Sequence, residues 1–126
     1  MTSTLRALLL ILAAINLLFG IIALAQPRRV ASWIGYELMG TGALGEFRSV
    51  YGGLVAAVGI LIAVAVLMTD GGALIGSLAL VFAGLVVGRV VSLAVDGFAT
   101  YTVAAGIFEA VGMALLFTAW WRPDGL

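Results

Sequence analysis

The sequence contains no cysteine and no histidine, and only two of its 126 residues are proline. Without cysteine there is no disulfide, thiolate nucleophile, iron–sulfur cluster or thiolate zinc site. Without histidine, the usual metal and haem ligand and the usual neutral-pH base are also missing. We therefore expect no metal and no cofactor, and any proton chemistry falls to Glu, Asp, Tyr or water.

Charged residues are scarce as well. They make up 10% of the chain, against about 25% in soluble domains. Hydrophobic residues reach 64% and the mean hydropathy is +1.28, which is the composition of an integral membrane protein whose surroundings are the lipid bilayer. The net charge is zero and no basic tract is present, so nothing favours a nucleic-acid partner.

Four apolar segments are long enough to cross a bilayer as helices. The predicted helices cover about 5–25, 47–68, 72–95 and 100–121. The fold class is therefore all-α, an integral membrane bundle of four transmembrane helices, and we expect a single domain over residues 1–126. Proline ends helical continuation at Pro27, after the first segment, and at Pro123, after the fourth.

The one long connection runs from Arg28 to Gly45. Its Trp33 and Tyr36 are three residues apart and would share a helical face, which is typical of an amphipathic piece lying at the membrane surface. We predict a short interfacial or re-entrant segment here. The plainer alternative is an ordered loop whose aromatic side chains act as interface anchors.

Arg89 and Glu109 interrupt the third and fourth apolar segments. A charge inside the bilayer costs about 2.5–3.5 kcal/mol on insertion scales, so such charges persist where they pair, line a cavity or carry a ligand or proton. At 1.5 Å per residue, Arg89 lies roughly 9 Å and Glu109 roughly 13 Å from the same membrane face. Their matched depths predict an ion pair, which is either a structural strut or part of a functional site.

Small residues recur at every fourth position of the same two helices. The runs are Gly84-Gly88-Ser92 and Gly106-Ala110-Ala114. Such runs would let the third and fourth helices approach closely and so favour the pairing of the two charges. A small-residue face equally supports a homo-oligomer or a place in a larger membrane complex.

Polar residues of the other helices lie toward the same leaflet, and hydrocarbon offers them no hydrogen-bond partner. Ser92 and Asp96 follow Arg89 at i+3 and i+7 and so share its stripe. Asn16 also suits a hydrogen bond between helices. We predict a pocket with eight lining residues: Arg89, Glu109, Arg48, Tyr51, Glu46, Ser92, Asp96 and Asn16.

Two polar segments, E-F-R-S-V-Y-G-G at 46–53 and G-R-V-V-S-L-A-V-D-G at 88–97, resemble the signature segments of a small bacterial four-helix integral-membrane family. That family is known only as a domain of unknown function and is loosely akin to DoxX-like membrane proteins. The resemblance covers nearly the whole chain and implies a fold and a bacterial inner (plasma) membrane location. The recurrent positions it implies are Glu46, Arg48, Tyr51, Gly52, Gly53, Gly88, Arg89, Ser92, Asp96 and Gly97. DoxX-like kinship would imply a quinone-linked or redox role, but the sequence shows no redox centre.

Three functions compete. In the first, the pocket binds the head group of a small amphiphile such as a lipid, quinone or fatty acid, as an accessory subunit would. In the second, Glu109 carries protons in a small transporter or exporter, which requires that it lack a cationic partner. In the third, a membrane enzyme acts on a lipid with Glu46, Asp96 or Glu109 as acid or base and Arg89 as oxyanion stabiliser. The sequence favours the first, and the catalytic residues of an enzyme stay unassigned.

Overall fold

The computed structural model describes residues 1–122, which form helices and no strand. Four helical segments are long and apolar enough to cross a membrane, so the predicted fold class is confirmed. In chain order the elements are α1 (Ser3–Ala25), α2 (Pro27–Trp33), α3 (Gly40–Phe47), a π-helical segment (Arg48–Leu54), α4 (Val55–Leu67), α5 (Gly72–Val95) and α6 (Thr100–Trp121). The predicted helix stop at Pro123 and the neighbouring Asp124 lie outside the described residues.

The chain divides into two compact units. One is Ile11–Ala63, and the other combines Met1–Leu10 with the chain from Val64 onward.

In the unit formed by Ile11–Ala63, glycines bring α1 against α4. A Cβ on Gly20 would lie 2.5 Å from the backbone nitrogen of Ala56, and a Cβ on Gly59 would lie 2.6 Å from the carbonyl oxygen of Ala13. Both distances are shorter than real Cβ contacts, and both neighbours are backbone atoms that cannot rotate away. Only a residue without a side chain fits at these two positions, as expected where membrane helices pack through small residues.

The second membrane-length segment begins earlier than the sequence predicts. The helix starts at Gly40 and continues to Leu67, whereas the predicted start was about residue 47. Glycine is a poor helix former, so Gly40, Gly42 and Gly45 read as loop residues. Gly42 and Gly45 are nevertheless helical, because tertiary context overrides such weak propensities. Gly40, the first residue of the helix, has a φ of +79°.

The middle of this segment is π-helical over Arg48–Leu54. A π-helix closes its hydrogen bonds from i to i+5 and is usually a short interruption of an α-helix, often at functional sites. Here it coincides with most of the E-F-R-S-V-Y-G-G segment. The extra residue per turn changes the direction of the side chains on its two sides, so α-helical spacing rules do not apply across it.

The connection between the first two membrane-length helices contains α2, with Pro27 at its first turn. Proline suits this position because the first backbone N–H groups of a helix have no intrahelical partner. α2 ends at Trp33, and Gly35 has a φ of +80°, so Trp33 and Tyr36 do not share a helical face and that prediction was wrong. The interfacial location of this connection stays a prediction.

In the other unit, α5 and α6 form a helical hairpin. α5 begins at Gly72 and ends at Val95, and α6 begins at Thr100 and ends at Trp121, in agreement with the predicted ranges. Phe82 and Leu116 are among its fully buried side chains. Gly76 is also buried, and a Cβ there would lie 2.9 Å from the ring of Trp120.

The small-residue run of α5 does not form this helix contact. Apart from the neighbouring backbone of α5 itself, no heavy atom of residues 1–122 lies within 4 Å of a Cβ built on Gly84 or Gly88, so the prediction that they let α5 approach α6 was wrong. Gly106 on α6 does make a close contact, because its Cβ would lie 3.4 Å from Cβ of Arg89. Spacing alone identified the small residues but not the direction in which they face.

Candidate functional site

Arg89 and Glu109 form a bidentate ion pair between α5 and α6. The Nε atom of Arg89 donates to Oε2 of Glu109 at 3.0 Å, and Nη2 donates to Oε1 at 2.8 Å. Two parallel bonds of this kind fix the planes of both groups and are among the strongest hydrogen bonds in proteins. Both carboxylate oxygens of Glu109 accept a hydrogen bond in this pair, whereas the Nη1 atom of Arg89 does not take part in it.

The two partners differ in exposure. The side chain of Glu109 is 10% exposed, whereas that of Arg89 is 26% exposed. The carboxylate is therefore enclosed by the hairpin, and the guanidinium forms the accessible side of the pair. A molecule that approached from the surface of this unit would meet Arg89 before Glu109.

Tyr101, in the first turn of α6, completes the cluster. The guanidinium carbon of Arg89 lies 5.3 Å from the centroid of the Tyr101 ring, within the range of a cation–π interaction. Sequence reasoning missed this residue. Tyr101 is eight residues before Glu109, which places it near the same stripe of α6, about two turns closer to the start of the helix. This spacing could have identified it.

The other two predicted residues of α5 lie toward its end. Ser92 is half-buried and its carbonyl oxygen accepts from the backbone N–H of Asp96 at 2.8 Å. Asp96 is exposed and is the C-cap residue of α5. Gly97 follows with a φ of +94°, a conformation that glycine adopts at low cost at the end of a helix.

An apolar groove of about 460 Å³ lies between α5 and α6. The α5 wall is made of small residues, among them Gly76, Ala79 and Ala83. The α6 wall includes Met113 and Phe117, which follow Glu109 at i+4 and i+8 and therefore continue its stripe. The volume of the groove is within the range of small-molecule sites, about 300–1,000 Å³. Met113, the lining residue of α6 nearest in sequence to Glu109, is about one helical turn from the ion pair.

Arg48 and Tyr51 lie in the unit formed by Ile11–Ala63. The Nη1 atom of Arg48 donates to the carbonyl oxygen of Leu24 at 2.8 Å. Leu24 is in the last turn of α1, where carbonyl groups lack intrahelical partners and the helix dipole favours a positive charge. Arg48 therefore caps the C-terminus of α1, a role that spacing did not predict.

Tyr51 belongs to a cluster of three aromatic residues. Its ring stacks on Phe47 with centroids 4.5 Å apart, and its hydroxyl lies 2.9 Å from that of Tyr36. Tyr51 lies within the π-helical segment, so its stacking on Phe47 does not follow from α-helical spacing. The contribution of Tyr36 comes from the fold of the connection that carries it.

The last two predicted pocket residues belong to the same unit. Asn16 is buried, and its Nδ2 atom donates to the carbonyl oxygen of Leu12 at 2.9 Å. This bond is within α1, whereas the sequence suggested a bond between helices. Glu46 is exposed near the end of α3. The structure thus joins Arg89 with Glu109 directly, and the common pocket of all eight residues stays a prediction.

Comparison with known proteins identifies the family. No curated protein and no solved structure matches the chain. A family model described as "Domain of unknown function (DUF4345)" matches residues 4–121, which include every residue of the candidate site and, apart from Ser3, all four membrane-length helices. The kinship with DoxX-like proteins and the family character of the two signature segments stay predictions. This protein, whose last two membrane-length helices are joined by an arginine–glutamate pair, belongs to the DUF4345 family.

Proposed function

We propose that the protein binds a small amphiphile in the membrane, with the polar head group at the Arg89–Glu109 pair and the hydrocarbon part along the α5–α6 groove. The observation that carries the proposal is a bidentate ion pair within membrane-length helices whose arginine side chain is still 26% exposed. A pair that served only as a strut needs no more than the two hydrogen bonds between its partners. The exposed part of the arginine side chain additionally offers a hydrogen-bond donor to a second molecule.

The groove supports the proposal by its position and shape. Met113 lies one helical turn beyond Glu109, about 6 Å along α6, so a chain attached to a head group at the pair could reach it. Alanine side chains such as that of Ala83 keep the α5 wall low, and the α6 wall supplies apolar contact. Sites for small molecules commonly combine a few polar groups with such apolar walls.

The transporter alternative has less support. A transporter of this kind needs a carboxylate that is available to a substrate cation, whereas both oxygens of Glu109 accept hydrogen bonds from Arg89. The enzyme alternative needs a second acid or base beside Glu109. Asp96 and Glu46 are both exposed, and neither is part of the ion pair.

The test compares amphiphiles that remain bound after purification. Wild type, Arg89→Gln and Glu109→Gln are purified in the same mild detergent, and bound molecules are identified and quantified by native mass spectrometry. Arg6→Gln is the matched control, because Arg6 is an exposed arginine near the start of α1. We expect wild type and Arg6→Gln to retain the same amphiphile and Arg89→Gln to retain about tenfold less, which corresponds to the loss of one charge-assisted hydrogen bond.

A strut and a binding site are separated by the charge swap Arg89→Glu with Glu109→Arg. The swap keeps an ion pair but places a carboxylate on the accessible side. Under the proposal it restores thermal stability without restoring the bound amphiphile. Equal amphiphile content in wild type, Arg89→Gln and the charge swap, all folded, would remove the proposal and leave the pair as a strut.

A further inference from the structure

The groove beside the ion pair ends at Trp120. In chain order Trp120 is the last lining residue of α6, and Gly76 is the first lining residue of α5. A Cβ built on Gly76 would lie 2.9 Å from Nε1 of Trp120, so the indole ring reaches across from α6 to the backbone of α5. A hydrocarbon chain that lies between the two helices therefore meets this ring at the end of its path.

The other end of the groove lies next to the ion pair. Met113 is the first lining residue of α6 and follows Glu109 by one helical turn. Trp120 is eleven residues beyond Glu109, which corresponds to about 16 Å along α6. The hydrocarbon of one leaflet, half of the bilayer core, is about 15 Å thick. The path from the pair to Trp120 therefore has the length of one ordinary acyl chain.

The volume of the groove gives the number of chains. The groove measures about 460 Å³. A water molecule occupies about 30 Å³ of the liquid and a methylene group takes a similar volume, so the groove accommodates about 15 methylene groups. Two acyl chains would need twice this space. Length and volume are separate observations, and both correspond to a single chain.

We propose that the amphiphile bound at the Arg89–Glu109 pair has one hydrocarbon chain of about 15 methylene groups, and that Trp120 limits the length of this chain. The inference rests on the proposed binding function and specifies its ligand class. That class is the single-chain lipids, such as monoacyl lipids, as opposed to the two-chain phospholipids of the surrounding bilayer.

The groove selects the shape of the ligand more than it adds affinity. Acyl chains of the surrounding lipid are as apolar as the walls of the groove, so a chain that moves from lipid into the groove gains no hydrophobic free energy. The polar pair supplies the affinity. The position of the chain end on the protein is therefore a sharper measurement than the amount of ligand bound.

The experiment uses monoacylglycerols with a photoreactive diazirine at the end of an octanoyl, a hexadecanoyl or a docosanoyl chain. The full-length protein is reconstituted in nanodiscs that contain a small fraction of one probe, and the labelled residues are identified by peptide mass spectrometry. We expect the octanoyl probe to label the protein near Met113 and the hexadecanoyl probe to label it near Trp120. The docosanoyl probe should label the groove about tenfold less, because its chain exceeds the available length.

A diacylglycerol that carries the same diazirine on both hexadecanoyl chains tests the number of chains. It should label Trp120 about tenfold less than the monoacyl probe, because the groove has no room for the second chain. Equal labelling by the two probes would overturn the single-chain inference.

Two tryptophan variants test the limit on chain length. Trp120→Ala removes the ring that closes the groove, so the docosanoyl probe should label this variant near Gly72, at the start of α5. Trp121→Ala is the matched control, because Trp121 is the next residue, is exposed and does not line the groove. It should keep the limit of wild type. A limit that persists in Trp120→Ala, with a normal unfolding midpoint, would overturn the role of Trp120.

A variant that fills the groove keeps the test independent of Trp120. Ala83→Phe places a ring in the α5 wall near the ion pair, so labelling of Trp120 by the hexadecanoyl probe should fall about tenfold. Val87→Phe is its control, because Val87 is exposed and lies one helical turn away, outside the lining of the groove. It should leave the labelling unchanged.

Failure of the inference and failure of the proposed function give different results. Labelling that depends on Arg89 but falls at the same residues for the octanoyl and hexadecanoyl probes overturns the chain site and retains the binding function. Labelling that is equal in wild type and Arg89→Gln for every probe overturns the binding function itself.

Discussion

Gly106 of α6 lies directly against the stem of Arg89 of α5: a Cβ at Gly106 would be 3.4 Å from Cβ of Arg89 and 3.5 Å from its Cγ. Gly106 is three residues before Glu109, so it lies on the same side of α6 as the carboxylate. The two helices are therefore in contact beside the charged pair. This contact positions the arginine stem so that the guanidinium donates two hydrogen bonds to Glu109.

The ion pair should be strongly coupled. Arg89→Ala leaves Glu109 buried without its cation, and we expect a loss of about 3 kcal/mol, at the lower end of the cost of breaking a buried pair because Arg89 is partly exposed. The double variant Arg89→Ala with Glu109→Ala should lose less than the sum of the single variants. A double-mutant cycle of unfolding in detergent measures the coupling. Strict additivity would show that the pair contributes nothing to stability.

Gly59 and Gly84 should respond differently to alanine. Gly59→Ala brings a methyl group against backbone atoms of Ala13 and Leu17, and we expect a loss of about 1–3 kcal/mol from overpacking. Gly84→Ala is the matched control, because its methyl group meets no described atom within 4 Å. It should keep stability unchanged or raise it by about 0.5 kcal/mol through better helix propensity. Equal losses at both positions would contradict the packing at Gly59.

A substitution at Gly97 tests the backbone conformation that follows the end of α5. Its φ of +94° is unfavourable for any residue with a Cβ, so Gly97→Ala should cost about 1–2 kcal/mol. Gly88→Ala, within the same helix and exposed, serves as the control and should cost nothing. The measurement is the thermal unfolding midpoint of both variants in one detergent. A normal midpoint for Gly97→Ala would mean that the connection to α6 adopts another conformation.

Membrane crossing by α5 can be tested because the natural chain has no cysteine. Asp70→Cys and Ala99→Cys place single thiols before and after α5 (Gly72–Val95). An impermeant maleimide applied to intact cells should label one of them, and the other only after the membrane is opened. Labelling of both in intact cells would show that α5 does not cross the bilayer.

Much of the fold follows from local properties. The apolar runs are as long as a bilayer requires, and the short connection at 96–99 makes α5 and α6 neighbours. The depths of Arg89 and Glu109 then follow from counting residues. The start at Gly40 was missed because propensity favours loops at glycine. The π-helical segment was missed because its hydrogen-bond pattern has no hydropathy signal.

The directions of side chains were harder to predict. In a soluble helix, apolar and polar residues alternate with the helical period and show which face is buried. A helix in lipid is apolar on every face, so the period is lost. Gly84 and Gly88 were thus assigned to a helix contact that they do not make, and the hydrogen bond from Arg48 to the end of α1 was not predicted.

The amino-acid order alone determined the membrane setting, the number of membrane-length helices and the exclusion of thiol and imidazole chemistry, because these depend on composition and on the length of apolar runs. Tertiary structure decided that Tyr101 contacts Arg89, that Gly59 cannot tolerate a side chain and that the accessible partner of the ion pair is the arginine. The physical reason is that rotation of an apolar helix about its axis hardly changes its transfer free energy into lipid. Packing against neighbouring helices fixes that rotation instead.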